Sequence, residues 1–133
     1  MFIVELITTH DDRRINLNHR DDWEAQIEVQ FLYPLVTFED PLSIHAVYLT
    51  HSSGNEYGYL GTPPLRLLKG TVSYKKGDKV RQSINLYDEL KKHDPDHIES
   101  LTPGAASIQI KGAVWPANDP PKEFVLKRAI IIQ

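Results

Sequence analysis

Residues 68–90 read LKGTVSYKKGDKVRQSINLYDEL, and the changes in the spacing of their apolar side chains are the strongest indication of fold in the chain. Apolar and polar side chains alternate on both sides of the turn at residues 76–78, which predicts strands at residues 71–74 and 79–84. The spacing then changes, and the apolar positions and propensities of residues 86–92 predict a short helix. The stretch therefore indicates scaffold, two strands and a helix, rather than a catalytic motif.

The same alternation recurs along the chain. Further strands are predicted at residues 2–7, from Ala25 onwards, and at residues 42–49, 106–115 and 124–132. A chain of 133 residues has the length of one domain with one core. Seven or eight strands with almost no helix predict an all-β domain over residues 1–133, an antiparallel immunoglobulin-like β-sandwich with one short helix in a late connection.

Details of this pattern predict which side chains face the core. The strand from Ala25 places Ile27, Val29 and Phe31 on one face. Unbroken alternation over residues 42–49 would place Leu42, Ile44, Ala46 and Tyr48 opposite Ser43, His45, Val47 and Leu49. Pro34 and Pro41 predict an interruption or a sheet edge between them, because proline cannot donate a ladder hydrogen bond. The glycines and prolines of residues 51–64 predict a loop.

A resemblance rests on residues 65–114, where an alternating strand, the KKGD turn, SINLYDEL and LTPGAASIQIKGAV follow one another. This order resembles the second half of small immunoglobulin-like domains, as in the intracellular proteinase inhibitor family and the N-terminal domain attached to deuterolysin-like peptidases. The resemblance implies a sandwich fold, and inhibition of a proteinase as one activity. The chain departs from that pattern in its longer connection, residues 89–99, and in having no recognisable secretory leader.

Composition and charge exclude several classes of function. The formal charge is −3, from 15 basic and 18 acidic residues that are mixed along the chain, so nucleic acid is not an expected partner. The absence of cysteine excludes disulfides, thiolate catalysis and cysteine-based zinc sites. No stretch has the 18 or more apolar residues of a membrane span. We expect a cytoplasmic, bacterial protein without a membrane partner or a cofactor.

Histidines suggest one weak metal site. His93 and His97 have the i, i+4 spacing of zinc-binding pairs on helices, with Asp94 and Asp96 between them. Pro95 would disrupt a helix within that spacing, and no third ligand stands at an obvious distance. A structural or solvated role is therefore the favoured interpretation.

The N-terminal loop is rich in charge. Two clusters, residues 10–12 and 19–22, combine histidine with aspartates, but the alternating acids and glycine of a calcium loop are missing. Arg13 and Arg14 would neutralise the acids without a metal, which favours a solvated, mutually paired loop. Exposed arginines near an aromatic such as Trp23 are alternatively typical of a partner-facing loop.

Residues 55–61, NEYGYLG, are the second candidate recognition segment. Tyrosine offers a large contact area with few rotatable bonds, and glycine lets a loop adapt its shape. Tyr57, Tyr59 and Leu60 are therefore candidate partner contacts, together with Arg13, Arg14 and Trp23. The alternative is that the tyrosines fold back onto the core.

No pattern in the sequence assembles a nucleophile, a base and oxyanion donors, so we do not expect an enzyme. The leading hypothesis is a non-catalytic protein-binding module, an inhibitor, immunity or adaptor protein that recognises one protein partner through its loops. One alternative is a sandwich that binds a metal or small ligand near His93 and His97. Another is a structural subunit of an oligomeric assembly, with exposed sheet edges such as residues 124–132 pairing between copies.

Overall fold

A computed structural model of the protein describes residues 2–10, 12–62 and 70–133. Its strands are β1 (Phe2–Thr8), β2 (Arg14–Ile15), β3 (Glu24–Phe31), β4 (Leu35–His51), β5 (Glu56–Tyr59), β6 (Thr71–Tyr74), β7 (Lys79–Asn85), β8 (Gly104–Pro116) and β9 (Lys122–Ile132). Helix α1 (Leu86–His93) and two 3₁₀ turns, Arg20–Trp23 and Ile98–Ser100, complete the described elements. The predicted all-β class is confirmed. Asp11 and residues 65–69, where the resemblance begins, lie outside the described residues.

The strands form two sheets. The first has three strands in the order β1-β3-β7, and the second has six, in the order β2-β9-β8-β4-β5 with β6 also paired to β4. All pairs are antiparallel except β2 with β9, which is parallel. No helix in the described ranges is long and apolar enough to cross a membrane.

Apolar side chains of both sheets form one core. On β3 the predicted face is confirmed, since Ile27, Val29 and Phe31 are at most 1% exposed. Ile108 and Ile110 of β8 belong to the same cluster from the second sheet. Burying one such side chain stabilises the fold by about 1.5–3 kcal/mol. The burial of these alternating apolar side chains therefore holds the two sheets face to face.

The turn at residues 75–78 does not close a hairpin. β6 pairs with β4 and β7 pairs with β3, so this turn carries the chain from one sheet to the other. Phe31 holds it at the end of β3, because its carbonyl accepts a hydrogen bond from Gly77 N at 2.7 Å and its N–H donates to the Asp78 carbonyl at 2.9 Å. The predicted strands are correct, but the local turn did not determine their partners.

Strand β4 contains two shifts in its register with β8. The first falls between Thr37 and Leu42, so the interruption predicted from Pro41 is a bulge inside a continuous strand. The second, between Ile44 and Ala46, leaves His45 as an extra residue. The unbroken alternation predicted for residues 42–49 is therefore wrong: Leu42 is in the core, and so are Val47 and Leu49 from the opposite predicted face.

The predicted loop at residues 51–64 contains a strand, β5, which pairs with β4. The predicted helix is confirmed as α1, which begins after Asn85. The Asn85 side chain accepts a hydrogen bond from Asp88 N at 3.0 Å and satisfies one backbone donor of the first turn. Leu86 and Leu90 are fully buried, and α1 packs against β5, β4 and β7.

Candidate functional site

Strand β5 and helix α1 meet at one edge of the six-stranded sheet. On β5, Tyr57 lies opposite Leu49 and Tyr59 lies opposite Val47, two residues of the core face of β4. Both tyrosines therefore project to the side of the sheet on which α1 packs. This edge brings together side chains from two segments that the sequence treats as separate.

Each tyrosine contacts one of the two histidines considered as metal ligands. The rings of Tyr59 and His93 have centroids 3.6 Å apart, and those of Tyr57 and His97 are 4.6 Å apart and stacked at 30°. We call these four residues, together with Leu60, which follows Tyr59 in the chain, the β5–α1 surface. It unites the predicted recognition loop with the predicted weak metal site.

Asp94 ties the end of α1 to β5. One of its carboxylate oxygens, Oδ2, accepts hydrogen bonds from Gly58 N at 3.2 Å and from His97 Nδ1 at 3.3 Å. Gly58 has a positive φ of 110°, and the backbone of β4 and the Leu90 side chain occupy the space that a Cβ would need. A glycine is therefore required where the helix and the strand approach each other.

The hydroxyl of Tyr59 is a hydrogen-bond donor rather than a base. It donates to Glu89 Oε2 at 3.3 Å. Burial, reinforced by the negative charge of Glu89, raises the pKa of Tyr59 to about 12. The ring and its hydroxyl thus form a neutral, oriented part of the β5–α1 surface at physiological pH.

The residues predicted to contact a partner differ in how exposed their side chains are. Tyr57 is only 3% exposed and folds back onto the core, so its predicted role as a partner contact is wrong. Leu60 is 67% exposed, Tyr59 is half-buried, and His93 and His97 are exposed. An open cleft of about 570 Å³ lies along β5 and is lined by the residues of that strand, Leu60 and Tyr48.

Among the residues that the structure describes, the two histidines have no third ligand beside them that would complete a metal site. His93 and His97 are each held against a different tyrosine, and the Asp94 oxygen near His97 also binds the backbone of β5. Across residues 2–10, 12–62 and 70–133, no three His, Asp or Glu side chains converge in a way that could hold a metal ion.

Trp23 is a core residue. Its side chain is fully buried and meets the ring of Tyr87 edge-on, with centroids 5.4 Å apart. Arg20 lies over the same tyrosine ring, 3.5 Å from its centroid. The prediction that Trp23 contacts a partner is wrong, because the 3₁₀ turn directly before β3 places its side chain in the core.

Arg13 and Arg14 are exposed, but they are far from the β5–α1 surface. Arg14 belongs to β2, and β2 and β5 form opposite edges of the same sheet, with β9, β8 and β4 between them. Four strand spacings separate these edges by about 19 Å. The structure therefore divides the predicted partner contacts between two distant places.

The N-terminal loop contains a buried carboxylate that the sequence did not single out. Asp22 Oδ1 lies 3.0 Å from His10 Nε2 and 2.9 Å from His19 Nδ1, and Oδ2 accepts a hydrogen bond from Asn16 N at 2.9 Å. The backbone bond from Asn16, followed by the bond with His10, lowers the pKa of Asp22 to about 2. The sequence predicted that arginines would neutralise the acids of this loop, whereas Asp22 is held by two histidines and a backbone N–H.

Replacing Asp22 with asparagine is expected to make stability less dependent on acid pH. The pKa of Asp22 is lower in the folded chain than its ordinary value of 3.8, so the ionised carboxylate stabilises the fold above pH 3.8. That stabilisation is lost as the pH falls towards 2. Thermal unfolding of D22N and wild type between pH 2 and 7 measures the difference. The exposed neighbour variant D21N is the control, and identical pH profiles for D22N and wild type would contradict the assignment.

Comparisons of the chain with protein-family models, with curated proteins and with solved structures gave no match. The resemblance to small immunoglobulin-like inhibitor domains therefore stays a prediction.

Proposed function

We propose that this chain is a non-catalytic, cytoplasmic protein-binding module with an immunoglobulin-like sandwich fold. In this proposal it recognises one protein partner through the exposed part of the β5–α1 surface: Leu60, Tyr59, His93 and His97. A chain without cysteine does not depend on an oxidising compartment for disulfide formation, which is compatible with the cytoplasm.

The strand order supports the immunoglobulin-like assignment. β1, β3 and β7 form one sheet, as strands A, B and E do in that fold, and β4, β8 and β9 lie together, as strands C, F and G do. β5 takes the place of the additional strand beside C in variable-type domains. β6 departs from the constant-type pattern, because it pairs with β4 rather than with β7.

The exposure of Leu60 is the observation that carries the proposed binding surface. It leaves a large apolar side chain 67% exposed at the end of a strand, next to an aromatic ring that is already ordered by His93 and Glu89. Ordered aromatic side chains and exposed apolar neighbours are typical of the centre of protein interfaces, because little conformational entropy is lost on binding.

The hydrogen bonds of His51 support a non-catalytic role. His51 Nδ1 accepts a hydrogen bond from Ser53 N at 3.0 Å, and His51 Nε2 donates to the Thr102 carbonyl at 3.1 Å. Both ring nitrogens are therefore engaged in holding a turn. The Ser53 hydroxyl also lies 2.8 Å from His51 Nδ1, so the serine that binds the ring is Ser53, within the same turn, and not the adjacent Ser52.

The test compares two apolar surface positions. Tagged wild-type protein is used to isolate a stoichiometric partner from the native host, and the affinity of that purified partner is then measured by calorimetry. L60D is expected to weaken binding at least tenfold, or about 1.4 kcal/mol. I3D, at a 46%-exposed position of the other sheet, is the matched control and should bind as wild type does. Equal affinities of L60D and wild type would show that the partner binds elsewhere.

A further inference from the structure

Strand β9 forms an open edge of the six-stranded sheet along most of its length. One side pairs with β8 over the whole strand, from Lys122 to Ile132. On the other side, β2 covers only Ile131 and Ile132. Among the residues that the structure describes, no strand lies beside the first nine residues of β9 on this side.

The backbone groups that face this open edge can be assigned from the hydrogen bonds at its covered end. Ile131 N donates to the Arg13 carbonyl at 3.1 Å, and Gln133 N donates to the Ile15 carbonyl at 2.8 Å, so these residues point away from β8. The register between β9 and β8 has no shift. Because the direction alternates along a strand, Glu123, Val125 and Lys127 also direct their N–H and C=O groups to the open edge.

The side chains of these three residues are self-complementary. They share the face of β9 that points away from the core, and Val125 is 52% exposed. Glu123 and Lys127, both exposed, stand two residues before and two residues after Val125. When two identical strands pair antiparallel about the apolar residue, the acid of one strand lies opposite the base of the other.

We propose that two copies of this chain associate by pairing their β9 strands antiparallel, with the two-fold axis at Val125. Val125 then lies opposite Val125 of the partner subunit, and Glu123 of each copy lies opposite Lys127 of the partner subunit. Opposite charges that face each other directly across two strands attract. The three pairs all use backbone groups that point outward, so the two sheets become one continuous sheet.

The surroundings of the edge admit a second strand. An open groove of about 380 Å³ lies beside residues 126–129 of this edge, between β9 and β1. β1 belongs to the other sheet and is reached by the Arg128 guanidinium, which donates to the Leu6 carbonyl from the core-facing side of β9. Pro120 and Pro121 precede the strand and β2 covers its end, which limits the pairing to the centre of β9.

The first test exploits the charge pattern. Sedimentation of wild type over a concentration series should show a monomer–dimer equilibrium. E123K and K127E should each raise the dimer dissociation constant at least tenfold, because every single change creates two like-charge pairs in a symmetric dimer. The double variant E123K/K127E should restore wild-type association. The proposal would be overturned if the wild-type protein stayed monomeric at millimolar concentration, which would mean that the charges only prevent strand pairing. It would also be overturned if the double variant did not restore association.

The second test reports the register. The chain has no cysteine, so V125C introduces one thiol per copy. Opposite residues in a hydrogen-bonded pair have Cα atoms about 5.5 Å apart, within reach of a disulfide, so mild oxidation should cross-link V125C. The control, K127C, places its thiols about 13 Å apart along the strands and should not cross-link. Equal cross-linking of both variants would contradict the Val125-centred pairing. Because β5 is at the opposite edge, the L60D result is independent of this one.

Discussion

Replacing Trp23 with alanine is expected to lower the free energy of unfolding by about 3–5 kcal/mol, the usual cost of removing a large aromatic side chain from a core. The Trp23 side chain is fully buried and packs edge-on against Tyr87. Its removal leaves a cavity that the neighbouring strand and helix cannot fill without moving. Since domains of this kind are stable by about 5–15 kcal/mol, the variant should lose a large fraction of its stability. Urea unfolding followed by circular dichroism measures the loss.

The Trp23 prediction has a matched control in the same loop. R14A removes a side chain that is 57% exposed and should change stability by less than about 0.5 kcal/mol. The comparison separates a core role of Trp23 from the partner contact that the sequence predicted for it, since removing a partner-facing tryptophan would cost affinity and little stability. A loss of less than about 1 kcal/mol for W23A would place Trp23 outside the core.

Replacing Gly58 with alanine is expected to cost about 3 kcal/mol or more and to separate β5 from α1. The residue has a φ of 110°, which costs a non-glycine residue about 1–2 kcal/mol. The added Cβ would also collide with the Val47 carbonyl oxygen and stand 2.8 Å from Leu90 Cδ2. Such overpacking costs a further ~1–3 kcal/mol. Thermal and urea unfolding of G58A give the total.

Gly54 provides the control for Gly58. It also has a positive φ, 91°, but nothing lies within 4 Å of the position that a Cβ would occupy. G54A should therefore cost only the backbone term, about 1–2 kcal/mol. If G58A were no more destabilising than G54A, the close approach of β5 to β4 and α1 would be contradicted. The difference between the two variants isolates the steric contribution.

Parts of the fold could be predicted because their information is local. The alternation of Ile27, Val29 and Phe31 identified β3 and its buried face, and a period of two residues needs no knowledge of the neighbouring strand. The helix could be predicted from residues 86–92 for the same reason. In β4 the same reasoning failed, because a bulge at His45 shifts the alternation by one residue and leaves no periodic signal in the sequence.

The candidate site was predicted less well than the fold. Tyr59 and Leu60 were predicted as partner contacts, whereas His93 was predicted only as a weak metal ligand. The contact of Tyr59 with His93 depends on α1 packing against β5, and on Asp94 binding the Gly58 N–H. Short-range patterns contain no information about such contacts between residues 30 or more positions apart. Asp22 shows the same limit, since short-range patterns do not distinguish it from the neighbouring acids as the one that binds His10 and His19.

By itself the sequence determined that this chain is a β protein with one short helix, where most strands run, and that it contains no cysteine chemistry. Those properties depend on composition and on side-chain periods within a few residues. The tertiary structure alone decided that Trp23 and Tyr57 are buried, that Tyr59 contacts His93, and that Arg14 lies at the edge of the sheet opposite to β5. The physical reason is that strand order is selected by the burial of whole faces against each other, a property of the assembled sheets that no single segment contains.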